Sequence, residues 1–477
     1  MDIQERFETR FFVGGSWRNG PRTFAVKSPI DGRVLAEIAD CGAAEAQAAA
    51  DAAVEAFAKW RRTTAYVRAA IMRRWFDLMM RESETIARTI TLEMGKPISE
   101  ARGEVRYAAG FVEWYAEEVK RLYGQTIPSQ FPHKRLFALP EPVGPVYGVT
   151  PWNFPAAMVT RKAAPALAAG CTFIHKPAEQ SPLTALLLGH LWEEAGGPAG
   201  TLQVLPALDP VPVSQVLMAD PRIRKITFTG STDVGRLLYR QAADTLKRVS
   251  LELGGHAPFI VFDDADIEQA VAAAMGAKFR NTGQTCVSAN RFYVYPKVLR
   301  DFTDAYTDAA RKLKVGDPLK DDTQVGPLVD RQALDKVTAH VKDAVSRGAR
   351  VVIGGSSRDL VYEPTVLVDV DGQARMLHEE TFGPVAPIVP CADDAQAIAL
   401  ANATPYGLAA YFWTRDLTRA FAVAEQLEYG IVGVNDGVPS TPQAPFGGVK
   451  NSGIGREGGR WGIEEYLETK YVSFALP

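Results

Sequence analysis

The chain is poor in the residues that build disulfide frameworks and metal sites. Only four cysteines, Cys41, Cys171, Cys286 and Cys391, and six histidines occur in 477 residues. They lie far apart, with no CxxC pair and no His/Cys cluster at zinc spacing, so no structural metal site is expected. The opening segment MDIQERFETR is polar and has no apolar core, so it does not read as a secretory signal. The thiols are therefore expected in a reducing cytoplasm, where disulfides are rare. No apolar run approaches the about 18 residues of a membrane span, and small-residue runs such as AAPALAAG are broken by proline and glycine. There is no basic tract, and the formal net charge is −3, which argues against a general nucleic-acid binder. Internal repeats and low-complexity segments are also missing.

What remains is an ordinary globular composition, 47% hydrophobic and 23% charged. A chain of 477 residues exceeds one hydrophobic core, so two or three domains are expected. Residues 42–62, 64–94 and 99–123 read as helices, with apolar positions recurring three and four apart. Gly95 and Pro97 punctuate them. The stretch LFALPEPVGPVYGVTPWNFP is extended and marks a change of character. From there PVYGVT, CTFIHK, LQVLP, IRKITFTG and RVSLELGG read as strands. AAMVTRKAAPALAAG, PLTALLLGHLWEEAG, VPVSQVLMA and TDVGRLLYRQAA read as the helices between them. Such alternation implies βαβ units and a parallel sheet covered on both faces, as in doubly wound nucleotide-binding domains. A second alternation begins after Gly255 with APFIVF, so a domain boundary is placed near Gly254–Gly255. The final stretch EYLETKYVSFAL alternates like an edge strand, which needs a covering partner, and a second subunit is expected to provide it.

Three local signals carry chemistry. In ITFTGSTDVG, Gly230 and Ser231 stand between a strand and a helix, where free N–H groups and the helix dipole suit a phosphate. The same residues would also make a plain tight turn. In LELGG, Glu252 ends a strand, where a carboxylate caps a helix, pairs with a cation or serves as a general base. In NTGQTCVSAN, Cys286 is left as either a packing residue or a nucleophile.

The segments VTPWNFP, HKPAEQSP, FTGSTDVG, LELGGHAP, NTGQTC, EETFGPV and PFGGVKNSGIGREGG occur in the order and rough spacing of the aldehyde dehydrogenase superfamily. The resemblance runs from about Phe11 to the C-terminus. It implies an α/β fold with three parts. These are a Rossmann-type parallel-sheet dinucleotide domain (1–123 and 143–253), an α/β catalytic domain (254–454) and a small β oligomerisation domain (124–142 and 455–477). A homodimer or homotetramer is implied with it. The implied activity is NAD(P)-dependent oxidation of a small-molecule aldehyde to an acid, without a metal. By resemblance, Cys286 is the nucleophile, which forms a thiohemiacetal and then a thioester. Asn153 and the Cys286 N–H are the oxyanion donors, and Glu252 is the base that activates water. Trp152, Lys176, Glu179, Gly230, Ser231, Glu380 and Phe382 match cofactor-binding positions. Of these, Lys176 and Glu179 match the adenosine ribose site and Glu380 the nicotinamide ribose site. A carboxylate at Glu179 would oppose a 2′-phosphate, so NAD is expected to be preferred, with NADP possible. The segment QVLPALDPVPV lacks the glycine-containing turn of relatives, so the adenine side is expected to differ in detail.

Within the superfamily the sequence resembles the succinate-semialdehyde dehydrogenases. Arg161 and Arg280 match the cations that grip a distal carboxylate, and Ser440 matches a third donor; the planar arginine fork suits that ligand. Glutarate and 2-oxoglutarate semialdehydes would satisfy the same arginines, and a broad aliphatic or aromatic aldehyde dehydrogenase is the next alternative. Ser288 stands where many of this subgroup carry a second cysteine, so a disulfide switch in this loop is excluded. Cys286→Ala should abolish dehydrogenase turnover while leaving NAD binding and folding near normal. Substantial NADH formation by this variant would remove Cys286 from the reaction.

Overall fold

The strand–helix alternation after residue 143 folds into an eight-stranded sheet in the computed structural model, which describes residues 7–477. Its centre is five parallel strands lying side by side in the order Leu202–Val204, Phe173–Lys176, Val146–Val149, Lys225–Thr229 and Arg248–Glu252. Phe173–Lys176 and Lys225–Thr229 are buried at every residue, as expected when helices cover both faces of a parallel sheet. The order of connection reverses at Val146–Val149, which has its successor on one side and Lys225–Thr229 on the other. Such a reversal opens a crevice at the carboxyl ends of the strands, where open α/β sheets hold ligands. Thr150–Asn153 and Gly230–Ser231 leave the sheet at that point. Antiparallel strands Phe11–Val13 and Ser16–Arg18 extend one edge, and Gly453–Ile454 closes the other against Arg248–Glu252. None of these three short strands has enough alternation to be read from the sequence.

A second sheet begins at Ala257–Val261, directly after the two glycines. Its seven strands include six in parallel, with Arg350–Ile353 antiparallel at one edge. Phe259, Phe292, Tyr411 and Trp413 pack together in its core, with Phe259 stacked on Trp413 at 4.7 Å between ring centroids. In a third sheet Leu467–Ala475 pairs antiparallel with Lys134–Pro142 along nine residues, and Gln125–Ile127 lies on the far side of Lys134–Pro142. Leu467–Ala475 is thus an edge strand, with Tyr471 and Phe474 exposed.

Two helical expectations change. Residues 64–94 form two helices, Ala65–Arg81 and Ser83–Met94, because Glu82 leaves the helical region at φ −92°, ψ 15°. The helix expected over 99–123 is Ile98–Glu118 and tightens into a 3₁₀ turn over Val119–Arg121 rather than continuing to residue 123. The helix Ala157–Ala169 is buried along its whole length, Arg161 and Lys162 included. Charges placed so deep must be paired.

The segment between the helix Ile267–Phe279 and the strand Ala289–Val294 carries Cys286. Asn281, Thr282 and Gly283 have φ of 52°, 56° and 76° in succession. Asparagine and glycine accept this region, but a β-branched threonine does not, and strain of this kind costs on the order of 1–3 kcal/mol per residue. It persists because the turn is clamped. The Asn281 N–H donates to Glu100 at 2.6 Å, and Thr282 Oγ1 accepts the Gly326 N–H at 3.1 Å. Asn281 Nδ2 donates to the carbonyls of Asn153 and Gln284, each at 3.0 Å, and Gln284 Oε1 accepts the Val329 N–H at 2.9 Å. At Gly283 a Cβ would stand 2.2 Å from the Gly383 carbonyl oxygen. Gly283→Ala should therefore lower stability by at least about 2 kcal/mol and displace the Cys286 turn. A lowered denaturation midpoint together with a fall in kcat checks this; a midpoint matching the wild type would contradict it.

Candidate active site

Cys286 stands in the wall between two cavities. One, of about 310 Å³, is lined by Arg161, Arg280, Ser440, Tyr107, Phe446 and Glu100 among others. The other, of about 370 Å³, lies at the crevice of the first sheet and is lined by Trp152, Asn153, Gly230, Ser231, Glu380 and Phe382 among others. Cys286 and Met158 belong to both. The other three cysteines are buried.

Burial pushes the Cys286 thiol up to about 12; Arg161 pulls the other way, while Glu380 and Glu252 add to the rise. This environment favours the thiol over the thiolate, so the group must give up its proton on reacting. Asn153 lines the first-sheet crevice together with Cys286. Its Nδ2 donates to the Gln284 carbonyl at 3.1 Å, which leaves the second N–H without a protein acceptor. The Asn153 peptide carbonyl is fixed by the Lys96 ammonium at 2.8 Å. Lys96 is itself held by the buried Glu104 carboxylate, whose other oxygen accepts the N–H groups of Ala156 and Ala157.

Glu252 ends its strand as the sequence implies, but its carboxyl lines neither cavity. It packs against Gly447, where a Cβ would come within 2.8 Å of Oε1. Burial and the nearby Glu457 carboxylate raise Glu252 well above the usual carboxyl range, while Arg161, Lys162 and Arg456 pull it down. Glu457 behaves oppositely. Burial opposes its charge, but Lys162 and Arg161 outweigh burial and hold it ionised. Arg161 Nη2 lies 2.7 Å from Glu457 Oε2, though off the line of a good hydrogen bond, and Lys162 Nζ takes Oε1. This is how a fully buried helix carries two adjacent cations. The Arg161 guanidinium also sits 3.8 Å from the centre of the Phe446 ring.

The crevice fits a nicotinamide dinucleotide. Ser231 caps the helix Thr232–Ala243, accepting the Val234 N–H, so the N-terminus of that helix faces the cleft. Thr229 Oγ1 and Asn153 Oδ1 are buried there with no protein partner, as polar atoms that await a ligand. Trp152 and Phe382 meet edge to face at 5.6 Å. Glu380 accepts the Gly255 N–H at 3.3 Å, and burial pushes its carboxyl up to about 7, against the pull of Lys336. Lys176 and Glu179 lie outside the enclosed part of the cleft. They form a 3.2 Å ion pair at the end of the strand Phe173–Lys176, with the Glu179 side chain 37% exposed.

The structure thus brings Arg161, Arg280 and Ser440 to one side of Cys286, and Trp152, Asn153, Gly230, Ser231, Glu380 and Phe382 to the other. It sets Glu252 aside in the buried charge network. Sequence reasoning missed Glu457, Lys162, Lys336 and Glu100. Glu457 stands in the quoted GREGG segment, but its partners are 295 and 296 positions away, so no local pattern marks it.

The sequence profile described as the aldehyde dehydrogenase family matches residues 17–472. The chain is 50% identical over 475 residues to the succinate-semialdehyde dehydrogenase [NADP(+)] GabD of Escherichia coli (strain K12), covering 98% of each chain. It is 50% identical over 471 residues to the glutarate-semialdehyde dehydrogenase of Pseudomonas aeruginosa, covering 98% of this chain and 97% of that one. Its fold superposes on the crystal structure of succinate-semialdehyde dehydrogenase from Burkholderia pseudomallei with a TM-score of 0.97, at 47% identity and 98% coverage of both chains. With a thiol set between a dinucleotide crevice and a second cavity, and with matches along nearly its whole length, the chain belongs to the aldehyde dehydrogenase family.

Proposed function

We propose that this enzyme oxidises a short aldehyde bearing a distal carboxylate, succinate semialdehyde foremost, to the diacid, with NAD preferred over NADP. The observation that carries this reading is the cavity on the far side of Cys286, which holds Arg161, Arg280 and Ser440 together. A carboxylate clasped there places the aldehyde carbon toward Sγ. The Asn153 amide and the Cys286 N–H stabilise the oxyanion that forms as Sγ bonds to the carbonyl carbon. Glu252 turns from Gly447 toward the thiol and, ionised once it has left the Glu457 carboxylate, takes up the proton. The chemistry supplied by bound NAD(P) is acceptance of a hydride, which leaves a thioester on Cys286. Glu252 passes that proton on to solvent and then activates the water that releases the acid. Phe446, Tyr107 and Met158 give the cavity an apolar body that admits the substrate's methylene chain. One more methylene leaves the same clasp usable, so glutarate semialdehyde is the second reading. The exposed edge strand Leu467–Ala475 supports assembly as a homodimer or homotetramer.

Arg280 is the cleaner of the two arginines to test, because Arg161 also holds Glu457. Hydrogen bonds to charged groups contribute about 1.5–3 kcal/mol each. Arg280→Leu should therefore lower kcat/KM for succinate semialdehyde by roughly tenfold to a hundredfold, and far less for butyraldehyde, which has no carboxylate. Equal losses on both substrates would make the arginine structural and remove the semialdehyde assignment. For the cofactor, kcat/KM should be higher with NAD than with NADP, and Glu179→Ser should shift the ratio toward NADP by removing like-charge repulsion. Equal use of both cofactors by the wild type would place Glu179 away from the ribose.

A further inference from the structure

The acyl cavity contains an acid that a pocket for carboxylates does not need. Glu100, in the first turn of the helix Ile98–Glu118, lines the same cavity as Arg161, Arg280, Ser440 and Cys286. Its Oε2 accepts the Asn281 N–H at 2.6 Å, which ties it to the residue following Arg280. Among the described residues its only hydrogen-bond donor is that N–H, and Glu100 lines the cavity.

The other charges around the cavity are already matched. Lys96 is closed on Glu104 and the Asn153 carbonyl. Arg161 and Lys162 share Glu457. Arg280 has no carboxylate within ion-pair distance among the described residues, and its Nε is buried without a partner. Glu100 and Arg280 therefore face one space without closing on each other. Lys96, Glu104 and Arg280 are the charged groups felt by Glu100, and Tyr107, Arg161 and Cys286 line the same cavity. A substrate carboxylate drawn to Arg280 arrives beside a second carboxylate.

We propose that Glu100 is a specificity-determining residue of this pocket: it is the internal counter-charge that an incoming carboxylate must displace, so anionic aldehydes bind best when Glu100 has taken up a proton. This rests on the semialdehyde reading above and deepens it. The environment supports the exchange, since burial pushes Glu100 up to about 7, against the pull of the Asn281 N–H, Lys96 and Arg280. A bound anion disfavours the ionised form further. As pH falls the proton on Glu100 relieves its opposition to the anion, and as pH rises binding of the anion favours proton uptake by Glu100. A neutral aldehyde meets no such cost.

The test is the ratio of kcat/KM for succinate semialdehyde to that for butyraldehyde, followed from pH 6 to pH 8.5. Titration of Cys286 and Glu252 affects both substrates and cancels in the ratio. In the wild type the ratio should fall on the order of tenfold as pH rises, the scale expected for one unit charge a few ångströms from another in a partly buried site. In Glu100→Gln, which keeps an acceptor for the Asn281 N–H, the ratio should stay flat at its low-pH value. A high ratio that is flat in the wild type overturns the role of Glu100 and leaves the semialdehyde reading standing. An equal fall in Glu100→Gln also overturns it, because another group would then be titrating. A ratio near one at every pH overturns the semialdehyde reading and this proposal together. The wild-type profile needs no variant, so the proposal remains open to refutation even if Glu100→Gln folds poorly.

Discussion

The site depends on one strained turn. Three consecutive residues, Asn281, Thr282 and Gly283, take left-handed backbone conformations, and threonine would not do so in an isolated peptide. The strain is offset by hydrogen bonds that come from distant parts of the chain: Glu100 from the helix Ile98–Glu118, Asn153 from the end of the central strand, and Gly326 and Val329 from a later loop. Two of the clamps also line the cavities beside Cys286. Asn153 lines the crevice of the first sheet, and Glu100 lines the cavity that holds Arg280. The turn therefore couples the positioning of Cys286 to the groups that would meet the substrate, and the thiol cannot shift without disturbing the donors around it.

Electrostatics follow the same economy. A helix buried along its whole length carries Arg161 and Lys162, and both are stabilised by a single carboxylate, Glu457. That carboxylate stays ionised and so suppresses ionisation of Glu252 nearby. Two acids in one buried neighbourhood thus have opposite protonation preferences, set by which of them the cations touch. Such a division keeps one buried carboxyl group charged and favours the neutral acid at the other without any change of residue type. Arg161 belongs to both systems, since it lines the acyl cavity and holds Glu457.

Much of this was legible in the amino-acid order. The βα alternation between residues 143 and 253, the restart after Gly255 and the terminal edge strand all came from local periodicity, because each element must bury one face or one stripe. The motifs around Asn153, Gly230, Cys286 and Glu380 all come to line one crevice. The break at Glu82 was hidden because apolar spacing continues across it, and the short strands at the sheet edges have too few residues for a period to show. The Glu457 and Glu100 contacts were hidden for a different reason: their partners lie far away in sequence, and nothing in a lone acid announces a buried cation.

By itself the sequence determined the elements and the two α/β units, since these follow from side-chain type and from periods of two and 3.6 residues, and its motifs carry the resemblance from which the reacting groups are proposed. Only the tertiary structure decided which charges face one another. It turned Glu252 toward Gly447, left Glu179 paired with Lys176 at the rim, and set Glu100 beside Arg280 in the acyl cavity. Protonation preference and cavity lining depend on distances across the fold and on exclusion of water, and neither is a property of the linear order of residues.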